Sequence, residues 1–216
     1  MMSQAKQEFI ELVEKNIKRP GTEELLNYLE GKGFFTAPAS AKYHGAHEGG
    51  LVEHSLNVYY ALKDVLTMIF GKGWTQRYSE ETVAIVSLFH DVCKCDKYVS
   101  TIKNMKNPDT GTWEPMQIYD YNGEHVRLGH GSLSNYILMD FIRLSEEERQ
   151  AIHWHMGNYD ISQYNTIYDL ANAWCRNTLS FALHLADMTA TYVDENDKFV
   201  PVDYNKIKQE ESKNES

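Results

Sequence analysis

The doublet His90-Asp91 closes the apolar run VAIVSLFHD, and four further donors lie around it: His54 before, and His130, His155 and Asp187 after. Imidazole and carboxylate side by side can bind one divalent cation when other ligands arrive from distant segments. A lone histidine is more often a surface or hydrogen-bonded core residue than a ligand. The set is different, because buried imidazole and carboxylate need partners, and one shared cation satisfies six donors on several helices together.

The elements that must carry these residues are mostly helical. Phe9, Ile10, Leu12, Val13 and Ile17 fall at helical spacing within residues 3 to 18, and Pro20-Gly21 ends the segment. A second helix runs from Thr22 to about Glu30 and stops at Gly31 and Gly33. The loop FFTAPASAKYHGAHEGG, with Tyr43, His44 and His47, leads to LVEHSLNVYYALKDVLTMIF, apolar nearly all round and therefore a core helix with His54 in its first turn. A helix from about Ser79 is expected to end on the His90-Asp91 doublet. Helical spacing returns from His130 to Phe141, from the N-cap Ser145 to His155, and from Ala171 to Tyr192. Between Lys97 and Asn122 two short strands flank a turn at Asn107-Pro108-Asp109-Thr110-Gly111, so the expected fold is an all-α bundle with a small β-hairpin insertion near residues 97 to 122. One domain over residues 1 to 202 is expected, and the charged stretch 203 to 216 reads as disordered.

Composition narrows the function classes. The chain has 216 residues, 42% of them hydrophobic, and no apolar stretch reaches the roughly 20 residues of a membrane-spanning helix. The first residues lack the apolar core of a secretion signal, so a cytoplasmic location is expected. Cys93, Cys95 and Cys175 are too few and unevenly spaced for a disulfide framework or a four-cysteine zinc site, and are expected as free thiols. With 31 acidic and 21 basic residues the net charge is −10, which argues against broad nucleic-acid binding but leaves room for a small anion beside a metal.

The order His, His-Asp, His, His, Asp resembles the HD-domain superfamily of metal-dependent phosphohydrolases. GGLVEHSLNV is similar to that family's first-histidine helix (His54), SLFHDVCK to its doublet with a following lysine (His90, Asp91, Lys94), LGHGSLS to its third histidine (His130), IHWHMG to its fourth (His155) and LHLADMTA to its closing helix (Asp187). These motifs span residues 49 to 190, and the loop PASAKYHGAHEGG is similar to that of stand-alone bacterial and prophage-associated members. His153 and His155 are two apart, about 200° around a helix, so only one can face a shared site. The family's small residue two positions beyond the ligand, here Gly157, selects His155. His184 shares a helix face with Asp187 and is either a supporting partner or a packing residue.

The resemblance implies that His54, His90, Asp91 and Asp187 hold one metal, with His130 and His155 holding a second or contacting phosphate. It implies attack of metal-activated water on phosphorus, with Asp91 at the metal. Lys94, three residues after Asp91 and so expected on its helix face, is placed as a catalytic group against phosphate charge, and Tyr43 and His44 of the loop before His54 are expected against the substrate. The ligand set allows Mn, Fe, Ni, Zn or Mg. The expected substrate is a small phosphorylated compound, a nucleotide first among them. Two alternatives stand beside it. One is a 3′-to-5′ exoribonuclease or phosphodiesterase, although relatives of that kind carry an extra oligonucleotide-binding domain for which about 50 residues before His54 leave little room, and Lys103 and Lys106 are the only basic pair near an entrance. The other is a non-catalytic module that senses a nucleotide.

Overall fold

The computed structural model describes residues 3–107, 110–126, 128–162 and 165–196. Helix α1 (Gln4–Asn16) starts where the Ser3 hydroxyl accepts from the Lys6 amide, and buries Phe9 and Val13. Helix α2 (Thr22–Gly31) follows the Pro20-Gly21 break and buries Leu25 and Leu29. The central helix α3 (Gly50–Phe70) is buried along most of its length, as its all-round apolar pattern requires. It packs on α4 (Glu80–Leu88) and on α8 (Thr178–Thr189). Helices α5 (His130–Met139), α6 (Glu146–Trp154) and α7 (Ile167–Arg176) complete the helical body. A contiguous apolar core runs from Phe9 of α1 to Ala190 beyond α8.

The chain is mostly helical with one small antiparallel sheet. Strands β1 (Tyr98–Lys106) and β2 (Trp113–Tyr121) pair from Tyr98↔Tyr121 to Lys106↔Trp113 and pack mainly on each other. The hairpin was legible as two non-helical stretches around a turn, though Pro108 and Asp109 of that turn lie outside the described residues. The stretch 203 to 216, read from sequence as disordered, also lies outside them, as do residues 197–202 of the expected domain.

Three expected elements differ. The single closing helix from Ala171 to Tyr192 is broken at Asn177, which takes an extended backbone (φ −127°, ψ 94°). Its side-chain oxygen caps the Leu179 amide, and its side-chain amide donates to the Glu147 carbonyl of α6. Beyond α8 the backbone widens into a π-turn over Ala190–Asp194. The helix carrying the doublet stops at Leu88, because Nδ1 of His90 takes the Ser87 carbonyl. Helix α5 ends at Met139, two residues short of Phe141.

Two close approaches set the helices that matter below. A Cβ on Gly131 would fall 2.3 Å from the Ile152 carbonyl oxygen, so only glycine lets the start of α5 lie against the end of α6. At the other end of α6, the expected capping box is present: Ser145 accepts from Glu148, and Glu148 reaches back to the Ser145 amide. The Glu148 side chain is fully buried and pairs with Arg19 at 2.6 Å, tying the α1–α2 connection to α6. Burial alone would raise its carboxyl, but the Arg19 guanidinium and the Ser145 amide hold it below the usual glutamate value of 4.5.

Arg19→Ala leaves that carboxylate buried without its counter-charge and is expected to cost about 2–4 kcal/mol at neutral pH. A depressed carboxyl pKa stabilises the fold above about pH 4.5 and ceases to do so as pH falls through the lower folded value. Urea unfolding should therefore show a deficit at pH 7 that shrinks by pH 3; an equal deficit at both would assign the loss to packing.

Candidate metal centre

Three histidines point one nitrogen each at a common place, and in each the other ring nitrogen is already engaged. His90 lies just past α4, and its Nδ1 is 2.7 Å from the Ser87 carbonyl. His155 caps the end of α6 in the same manner, with Nδ1 2.6 Å from the Ile152 carbonyl. His54, on the second turn of α3, has Nδ1 2.9 Å from Glu195 Oε1. A ring whose Nδ1–H donates outward keeps its Nε2 lone pair for a cation and is held in orientation.

The Nε2 atoms of His54 and His90 are 3.3 Å apart. Asp187 of α8 brings Oδ1 to 3.1 Å from His54 Nε2 and 4.0 Å from His90 Nε2. Asp91 lies between: Oδ2 is 3.4 Å from His90 Nε2 and 3.8 Å from His54 Nε2, while Oδ1 is 3.5 Å from His155 Nε2. His54, His90, Asp91, His155 and Asp187 are thus brought together, all buried. His130, at the start of α5, joins through a neighbouring triplet with Asp91 and Cys93, whose donor atoms lie within 4.8 Å of one another. His153 is directed elsewhere, its Nδ1 3.1 Å from Ser132 Oγ.

Lys94 is buried beside the doublet, on a 3-10 turn and not on the helix face expected for it, with Nζ 2.5 Å from Asp91 Oδ2. Burial alone would raise the Asp91 carboxyl, but Lys94, His90 and His155 hold it well below the usual aspartate range. Asp187, which burial would likewise raise, is held low by its hydrogen bond to His54. Burial would lower His54, yet Asp187 and Glu195 raise it to about 9. Burial lowers His90 and pushes His130 down to about 3.

Several buried polar atoms here lack a hydrogen-bond partner of good geometry: both oxygens of Asp91 and Nε2 of His155. An acceptor-only carboxylate facing acceptor nitrogens is the donor set of a cation site. The buried cluster could hold a metal ion, and the residues present fit one.

The cluster opens into a cleft of about 1160 Å³ lined by Tyr43, His44, Lys94, Tyr159, Asp187 and Tyr192 among others. Of the expected substrate-side residues, Lys94 is at its floor and the His44 ring lies tilted against that of His54, 5.0 Å between centroids, its pKa lowered to about 4 by burial and by His54. Tyr43 is 84% exposed at the rim. His184 donates through its Nδ1–H to the His155 carbonyl oxygen, 2.6 Å away, so its contact is with the backbone of a candidate ligand residue. Gly157 has φ +55°, and a Cβ there would lie 2.7 Å from the His184 ring, so the glycine permits this turn.

Compared with protein-family models, curated proteins and solved structures, the chain matches none.

Residue reasoning missed Glu195, which holds His54 and also accepts from Asn57. Asn57 sits one turn after His54, but nothing in sequence places a glutamate 141 positions later against both. It also missed Lys97, whose Nζ is 2.9 Å from His130 Nε2. Cys93, expected as a free thiol, is one, buried with its sulfur 3.7 Å from His130 Nδ1.

Since His54 is raised to about 9, its protonated form stabilises the metal-stripped fold fully below about pH 6.5, and that contribution is lost as pH rises through about 9. Chelator-treated protein should melt at lower temperature at pH 9.5 than at pH 6.5, and His54→Gln should remove most of this difference. An unchanged pH dependence in the variant would assign the effect to another group.

Proposed function

We propose that this chain is an HD-type metal-dependent phosphohydrolase that cleaves a small phosphate ester, a nucleotide or related compound. The observation that carries this reading is the convergence of three histidine Nε2 atoms and two buried carboxylates, with the opposite Nδ1 of each histidine hydrogen-bonded away. The sequence order of these donors, already similar to that superfamily, supports it independently.

His54, His90, Asp91 and Asp187 would hold the ion, and mixed imidazole and carboxylate donors suit Mn, Fe, Ni or Zn better than Mg. A divalent ion bound there would supply an electropositive centre that lowers the pKa of water and polarises a phosphoryl oxygen. The chain's own groups supply the rest. Lys94, charged and buried at the cleft floor, is placed to leave Asp91 for a phosphate oxygen or the leaving oxygen. His44, uncharged near neutral pH, offers a hydrogen bond without adding charge. Tyr43 at the rim offers a ring face for the organic part of a substrate.

A small substrate is favoured over a polymer. The cleft carries Glu53, Asp187, Asp194 and Glu195 against Lys42 and Lys94, which makes a poor track for a polyanion. Of the basic hairpin pair, Lys103 is taken up by Asp120 at 2.5 Å.

Asp91→Ala should abolish both metal retention, read by elemental analysis, and turnover on a panel of phosphomonoesters, cyclic nucleotides and short oligonucleotides tested with several metals. Full metal content together with full turnover in that variant would overturn the proposal.

A further inference from the structure

Whether the centre takes one ion or two turns on His130, and the structure places a positive charge on that histidine already. Lys97 is buried, 4% exposed, at the turn between the doublet and β1. Its ammonium lies 2.9 Å from Nε2 and 3.4 Å from Nδ1 of His130. It is held there by two ring faces, 5.2 Å from the centroid of Tyr98 and 5.3 Å from that of Tyr121, which pair with each other across the foot of the hairpin. The hairpin thus fixes a cation against the third histidine.

We infer, resting on the metal-centre reading above, that Lys97 stands in place of a second ion, so that the centre is mononuclear and His130 serves as the acceptor of the Lys97 ammonium and not as a metal ligand. The argument is electrostatic. A second ion would need His130, His155 and Asp91 together, and the Lys97 ammonium already lies against both ring nitrogens of that histidine. A dication on that ring would lie close to a buried unit positive charge, where repulsion is poorly screened. The first site carries no such obstacle beyond Lys94, which pairs with a carboxylate oxygen and leaves the Nε2 atoms of His54 and His90 free of ammonium contact.

The test is metal stoichiometry, which needs no substrate. Full-length protein is stripped, reloaded with excess Mn or Zn, desalted and analysed, and titrated by calorimetry. Wild type should hold one ion per chain. Lys97→Met and Lys97→Gln, both able to keep the stem between the tyrosines, should admit a second, binding it about tenfold or more tighter than wild type does. Lys97→Arg, which keeps the charge, should stay at one. Circular dichroism identifies any variant that fails to fold, and either neutral variant suffices for the readout. Two ions on wild type, or one ion on a folded neutral variant, would overturn the inference while leaving the metal reading intact. No ion on any of them would overturn the metal reading and this inference with it.

Discussion

A buried carboxylate set among imidazole nitrogens, with a lysine ammonium against one oxygen, is the constraint around which this protein is arranged. Asp91 is 1% exposed, and a charged group so far from water is tolerated only beside opposite charge. Lys94 supplies one such charge, yet both carboxylate oxygens still lack a well-formed hydrogen bond, and the imidazole nitrogens beside them are acceptors when neutral. The arrangement is therefore costly as pure packing and economical as a cation site. Asp187, buried at the same place, compounds the need and helps to raise His54 until it can act as a partial substitute for the ion.

The helices achieve this by ending where they do. His90 and His155 each turn Nδ1 back to a carbonyl three residues earlier, satisfying an orphan group at a helix end while sending Nε2 forward. One contact thus terminates the helix and orients the ligand. Gly131 allows α5 and α6 to approach closely enough for His130 and His155 to share a centre. The π-turn after α8 carries Glu195 back onto His54, with the Glu195 amide bonded to the Ala190 carbonyl five residues earlier. The hairpin, apparently peripheral by its sparse packing on the helices, contributes the two rings that hold Lys97. Positive charge consequently reaches the centre from Lys94 and Lys97 on a chain whose net charge is −10.

Much of the architecture was legible from the order of residues, because the signals are local. Helical spacing in α1, the Ser145-to-Glu148 capping box and the loss of helical period on either side of the turn at Asn107 depend only on neighbours in sequence. So does the rule that only one of His153 and His155 can face a shared site, since two positions apart on a helix means opposite sides of it; the preference for His155 came from the resemblance, through Gly157. The break at Asn177 was not legible: its backbone is held partly by the Glu147 carbonyl, which no spacing rule brings near.

The candidate donors, His54, His90, Asp91, His130, His155 and Asp187, could be named from the sequence alone, because side-chain chemistry and motif order are properties of the chain and not of its packing. Tertiary structure decided how those donors are charged and which of them face one another. Glu195 and Lys97 meet their histidines at separations of 141 and 33 residues, and each acts through burial and electrostatic contact, quantities that exist only once distant segments have excluded water between them.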